Sequence, residues 1–207
     1  MSELMTNYID GNNKSPEQIV RSLKNGEIIK IQTDTLPGLI CDPYNKTSVA
    51  KIFTIKKRPK TKKLPILVPN NWQEDKLIEP WTLLEKRLIT KYWPGALTII
   101  KHFITPNPPY LGEDLENDEN LVKCETKEKS SVALRCPNFA LLLQVLAKFG
   151  PVAGTSANIS GQKPKIKTRP SDKVYFNTKT YSKGSTIIKV INKDIKIIRN
   201  GDLNLTK

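Results

Sequence analysis

The chain has 207 residues, with 34 Lys and Arg against 20 Asp and Glu, and a net charge of +14. That length suits one good-sized domain with a real core, and no run of about 18 apolar residues is present to span a membrane. The positive balance fits nucleic acid or nucleotide phosphates as partners. It fits equally a Lys-, Ile- and Asn-rich composition whose lysines solvate the surface.

Met1 to Asp10 holds no basic stretch followed by an apolar core, so no secretory signal is expected. The three cysteines, Cys41, Cys124 and Cys136, fall outside any C-x-x-C pair and read as reduced thiols of a cytoplasmic protein. The single histidine, His102, excludes an H-E-x-x-H zinc site.

In chain order, Ser15-Pro16-Glu17-Gln18 predicts a helix start with Ser15 as N-cap and Gln18 completing a capping box. Ile19, Val20 and Leu23 form its apolar face, and Gly26 suits its end. Glu27 to Gln32 reads as a strand that leads straight into a turn at Thr33-Asp34-Thr35. From about Thr47 to Lys57 the periodicity predicts a second helix. Val49, Ile52, Phe53 and Lys56 fall on one stripe, which makes Lys56 part of the buried face. Arg58 follows, and Pro59 stops the helix. Leu64 to Val68 is a buried strand by its apolar run. A helix over Pro80 to Tyr92, a turn at Trp93-Pro94-Gly95 and a strand from Ala96 to Ile100 come next. Thr105 to Ser130 is polar and acidic and reads as a loop. Ser131 to Leu134 predicts a strand, Asn138 to Phe149 a helix, and Pro151 to Ala153 a return to the sheet. Strands over Ser185 to Ile191 and Lys196 to Arg199 finish the chain.

Alternating helices and strands argue a single α/β domain, residues 1–207, built on a mixed sheet. Ligands of such sheets gather at strand ends. Hydroxyls, an amide and paired cations sit on short strand-end segments here: Lys56 with Arg58, Ser131 with Arg135, and Ser156 with Asn158. That collection suits an anionic, phosphate-bearing substrate. There is no G-x-x-x-x-G-K-[ST] pattern, so any ATP is held in a different cradle.

Several segments together resemble the YrdC-type threonylcarbamoyl-AMP synthases in their single-domain bacterial form, from about Ser15 to Gly201. They are Thr33-Asp-Thr-Leu-Pro-Gly-Leu39, Ile52-Phe-Thr-Ile-Lys-Lys-Arg-Pro59, Trp93-Pro-Gly-Ala-Leu-Thr98, Val132-Ala-Leu-Arg-Cys-Pro137 and Ser156-Ala-Asn-Ile-Ser-Gly161. Gly184-Ser-Thr-Ile187 and Ile198-Arg-Asn-Gly201 add to them. The resemblance implies a twisted α/β sheet flanked by helices, with a positively charged concave face. It implies synthesis of L-threonylcarbamoyl-AMP from L-threonine, bicarbonate and ATP, with release of pyrophosphate and with Mg²⁺ carried on the ATP. A downstream threonylcarbamoyl transferase complex would pass the group to tRNA, and the same face could bind tRNA weakly.

Carried over by position, Lys56 and Arg58 match the pair facing the phosphates and would be the catalytic cations. Lys62, Ser131, Ser156, Asn158 and Arg199 match nucleotide contacts. Thr35, Arg135 and Ser185 match the threonine site. Pro37 stands where many relatives carry an aromatic residue. Attack of a carbamate on the α-phosphorus brings two anions together, so cations at that point lower an electrostatic barrier. A non-catalytic RNA-binding protein using the same basic face is the alternative reading.

Overall fold

The computed structural model describes residues 8–59, 63–70, 78–104, 131–158 and 182–205. Lys62, Cys124 and the loop expected at about 105–130 lie outside the described residues.

Strand β1, Ile9–Asp10, is followed by helix α1, Pro16–Lys24. The predicted capping box is present: Gln18 N donates to Ser15 Oγ, and Ser15 N donates to Gln18 Oε1 at 2.9 Å. Asn25 caps the helix and Gly26, at φ +73°, lets the chain reverse where a side chain would be strained. Strand β2, Ile29–Ile31, and strand β3, Gly38–Cys41, flank the Thr33–Pro37 turn. Helix α2, Lys46–Lys56, ends with Lys57 in the left-handed region. Then come β4, Ile66–Leu67, and α3, Leu83–Tyr92, which starts three residues later than predicted because Thr82 and Glu85 form its capping box. The remaining elements are β5, Leu97–His102; β6, Ser131–Arg135; α4, Ala140–Phe149; β7, Val152–Ser156; β8, Thr186–Ile191; and β9, Asp194–Arg199.

The nine strands found among the described residues belong to one mixed sheet in the order β1-β2-β3-β7-β4-β6-β5-β8-β9. The pairs β1–β2, β4–β6 and β5–β8 are parallel and the other five are antiparallel. Successive strand residues face opposite sides. One face carries Leu39, Cys41, Ile66, Ile99, Val132, Leu134, Ala153 and Ile188, packed with Val49, Ile52 and Ile55 of α2 and Leu88 of α3. On the other face α1 and α4 bury Ile19, Leu23, Leu142, Val145 and Leu146 against Ile29, Ile31, Ile40, Leu67 and Val152.

That second face continues across β6 and β5, because Leu67 is in register with Arg135 and Ile99 with Leu134. There it presents the polar Ser131, Arg135 and Thr98 together with Ala133 and Ile100. A polar strip thus starts where the second hydrophobic cluster stops. The sequence put its site residues on that strip and at the edge beside it.

Candidate active site

The Thr33–Pro37 segment joins two groups of side chains. Thr33 Oγ1 donates to Leu36 O at 2.7 Å and accepts from Thr35 N at 3.1 Å, which folds the turn on itself. At its far end Pro37 O accepts from Ala157 N at 2.7 Å, and Gly38 pairs with Ser156 across β3 and β7. The turn therefore begins at one group and ends against the other.

The first group centres on Arg135, the last residue of β6 and 7 % exposed. Its Nη2 donates to Asp34 Oδ1 at 2.6 Å, its Nη1 to Thr35 Oγ1 at 2.9 Å and its Nε to Gly95 O at 3.0 Å. Gly95 N in turn donates to Cys136 O at 2.8 Å, so the Trp93-Pro94-Gly95 turn, cis at Pro94, is fixed against the end of β6. A guanidinium has five N–H groups in a rigid fork. Three are used by these described partners, which leaves two to meet a carboxylate.

Next to it, Arg199 at the end of β9 donates from Nε and Nη2 to Ser185 O at 3.1 and 2.7 Å, and from Nη2 to Ser185 Oγ at 3.2 Å. Ser185 Oγ and Thr98 Oγ1 share a 2.7 Å hydrogen bond. Burial, and then the neighbouring Arg135 charge, push the Arg199 guanidinium below its usual value. The buried Arg135 and the exposed Arg199, each bonded to a hydroxyl, form a site that favours anions.

The second group lies at the end of β7. Lys56, the last residue of α2, is 2 % exposed. Its ammonium donates to Ser156 O, to Asn158 O at 2.5 Å and to Asn158 Oδ1 at 3.5 Å. Burial, with Arg58 adding to it, lowers its pKa to about 8. Arg58 Nη2 donates to Lys63 O at 2.7 Å, and burial lowers both of these cations as well. Ser131 opens β6 at the same edge, since β6 runs parallel to β4 and β4 antiparallel to β7.

The structure thus brings Thr35, Arg135, Ser185 and Arg199 into one neighbourhood, and Lys56, Arg58, Ser156 and Asn158 into another with Ser131 on its edge. Lys62 lies outside the described residues. The Lys56 ammonium points into the Ser156–Asn158 turn. Sequence reasoning assigned no role to Asp34, which ion-pairs with Arg135, or to Thr98, which bonds Ser185. Both stood inside quoted motifs, and for Thr98 the signal was its place one residue from Leu97 on the opposite face of β5. Among the described residues no cluster of three or more His, Cys, Asp or Glu gathers that could hold a metal. Cys41 and Cys136 are buried thiols that burial pushes up to about 12, which makes them packing groups rather than nucleophiles.

The Sua5/YciO/YrdC family model, described as telomere recombination, matches residues 21–201. A protein of Photobacterium profundum named threonylcarbamoyl-AMP synthase is 30% identical over 151 residues, 72% of this chain and 74% of the relative. Among solved structures, P. abyssi Sua5 complexed with L-threonine superposes with a TM-score of 0.71 at 21% identity, covering 92% of this chain. This chain spans only 55% of that archaeal protein. E. coli YciO matches with a TM-score of 0.66 at 18% identity and 96% coverage of both chains. The fold is common to all of them.

Proposed function

Since the chain belongs to the Sua5/YciO/YrdC family, we propose that it is an L-threonylcarbamoyl-AMP synthase, joining L-threonine, bicarbonate and ATP with release of pyrophosphate. The observation that carries this reading is the Arg135 fork, which holds Thr35 and Asp34 one hundred residues away in sequence and still offers two N–H groups to an amino-acid carboxylate. Ser185 and Thr98 supply hydroxyls beside it, and Arg199 a second cation. The adenylate end belongs to the other group, where Arg58, Ser131, Ser156 and Asn158 would meet the nucleotide.

Bicarbonate carboxylates the amino nitrogen of threonine to a carbamate with loss of water, and a carbamate oxygen then attacks the α-phosphorus as pyrophosphate leaves. Fixed cations at that point stabilise the crowded oxygens, and the loss of one costs about 3 kcal/mol of transition-state stabilisation. No general base is assigned; alignment of the two groups by the Thr33–Pro37 turn supplies the proximity. The cationic and hydroxylic donors of the site suit phosphate and carboxylate oxygens and not a divalent ion, so Mg²⁺ belongs on the triphosphate itself. Among the described residues no helix is long and apolar enough to cross a membrane. The reading assigns the protein to the cytoplasm, where ATP, tRNA and a downstream threonylcarbamoyl transferase meet.

The test is pyrophosphate release from ATP and bicarbonate, with and without L-threonine and with serine as a control. Release that depends on threonine is the expected result. ATP binding with no threonine-dependent release overturns it in favour of another carbamoylating activity.

A further inference from the structure

Lys56 is a buried ammonium whose partners, among the described residues, are two backbone carbonyls and one side-chain amide oxygen, all from the Ser156–Asn158 turn. An ammonium has three N–H donors and no acceptor. The two carbonyls engage two of them, and Asn158 Oδ1 at 3.5 Å is the nearest described oxygen for the third. The residue is 2 % exposed and sits at the C-terminal end of α2, where the helix dipole favours a cation.

We propose that Lys56 is a positioning residue, which sets the Ser156–Asn158 turn in the shape that receives ATP and does not itself touch the phosphates. The inference rests on the synthase reading above. The turn it holds is already half-fixed: Ala157 N donates to Pro37 O at 2.7 Å, and Asn158 N to Ser156 O at 2.9 Å. The ammonium draws the Ser156 and Asn158 carbonyls toward one point. Asn158 Oδ1 lies at a longer 3.5 Å from the same ammonium. The same carbonyls would repel phosphate if they were free to turn toward it. Lys56 keeps them turned inward.

Three measurements on the full chain separate this from direct phosphate contact. The first is amide hydrogen exchange of Lys56→Met and Lys56→Gln without nucleotide. Faster exchange at Ala157 and Asn158 is expected, with the amides of α1 and α4 unchanged. Unchanged exchange at both, in a variant that has lost ATP affinity, overturns the proposal and makes Lys56 a phosphate ligand. The second is ATP affinity in a double-mutant cycle with Asn158→Ala. Lys56→Met should weaken ATP about tenfold alone and about twofold or less once Asn158 is gone. Additive losses overturn the proposal. The third is rescue. Lys56→Arg, which keeps the charge but not the three-way ammonium geometry, should not restore affinity, and full rescue by Arg overturns it. If neither Lys56→Met nor Lys56→Gln folds, Lys56→Arg carries the exchange arm. The exchange arm contains no nucleotide, so it judges the strut even if the threonine-dependent reaction is not found.

Discussion

Arg135 and Lys56 are both buried cations, and they are satisfied differently. Among the described residues Arg135 has Asp34 as a counter-ion with two N–H groups over, whereas Lys56 has neutral oxygens alone. The first arrangement suits a residue that receives a carboxylate. Arg135→Lys keeps the charge and removes the fork. It should raise the threonine KM about tenfold or more and leave the ATP KM within about twofold, a split read from steady-state pyrophosphate release. An equal rise in both would deny Arg135 the carboxylate. Lys56 makes a prediction about stability. Its folded pKa of about 8 lies below the ordinary 10.5, so the unfolded chain binds the proton more tightly. Between those two pH values folding releases a proton, and stability contributed at this position rises with pH. Denaturant unfolding of the wild type and Lys56→Met on either side of that window should show the wild type gaining on the variant at the higher pH. Arg58 is the charged neighbour that adds to the shift, and it is common to both proteins. A difference that stays flat with pH would mean that the lysine is not desolvated.

At the scale of elements, Glu85 serves two structures at once. Its carboxylate accepts from Thr82 N at 2.8 Å to close the α3 capping box, and from Lys101 Nζ at 2.9 Å. Lys101 lies 5.0 Å over the Trp81 ring and also donates to Pro80 O, so β5 and α3 are joined through one buried ion pair. Glu85→Ala strands the Lys101 charge and should cost about 3 kcal/mol in denaturant unfolding. A loss under about 1 kcal/mol would show that the pair is solvated. Gly201 plays a comparable part for the candidate site. A Cβ there would stand 2.3 Å from the Ser185 carbonyl carbon and 2.4 Å from Gly184 O, both backbone. Gly201→Ala must therefore displace Ser185, and it should raise the threonine KM several-fold as well as lower Tm. A variant with normal threonine KM would place Ser185 outside the substrate's reach.

The same elements show what could be read from the chain. The start of α1 was legible because its cap is local: Ser15 and Gln18 satisfy each other within one turn, whereas the equally local Thr82–Glu85 box of α3 went unread and that helix was placed three residues early. β3 was missed. Gly38-Leu-Ile-Cys is buried on both faces, so it lacks alternation, and it follows the Thr33–Pro37 turn with no break. β1 has two residues and depends on pairing with Ile29 and Lys30. Candidate site residues were legible as motifs, but their grouping was not. That Arg135 faces Thr35, and that Lys56 turns toward Ser156, depends on strand order and register, which no local pattern encodes.

For the whole molecule, the +14 net charge decides little by itself, because a phosphate-binding enzyme and an RNA-binding protein both tolerate it. Salt separates them. An RNA complex with six phosphate contacts loses affinity about a thousandfold between roughly 50 and 200 mM salt, through counter-ion release. In the proposed synthase threonine, a zwitterion, would enter a site where Arg135 is already paired with Asp34 and 7 % exposed, so screening would reach it weakly. Threonine-dependent pyrophosphate release, measured at saturating ATP across that range, should keep a threonine KM constant to within about twofold. Arg135→Gln, which removes the charge, should raise that KM without changing the salt slope of any tRNA binding measured in parallel, because a residue buried among Thr35, Asp34 and Gly95 is not a surface phosphate contact. A salt slope that falls with Arg135→Gln, and pyrophosphate release indifferent to threonine, would together make the polar strip an RNA surface and remove the synthase reading.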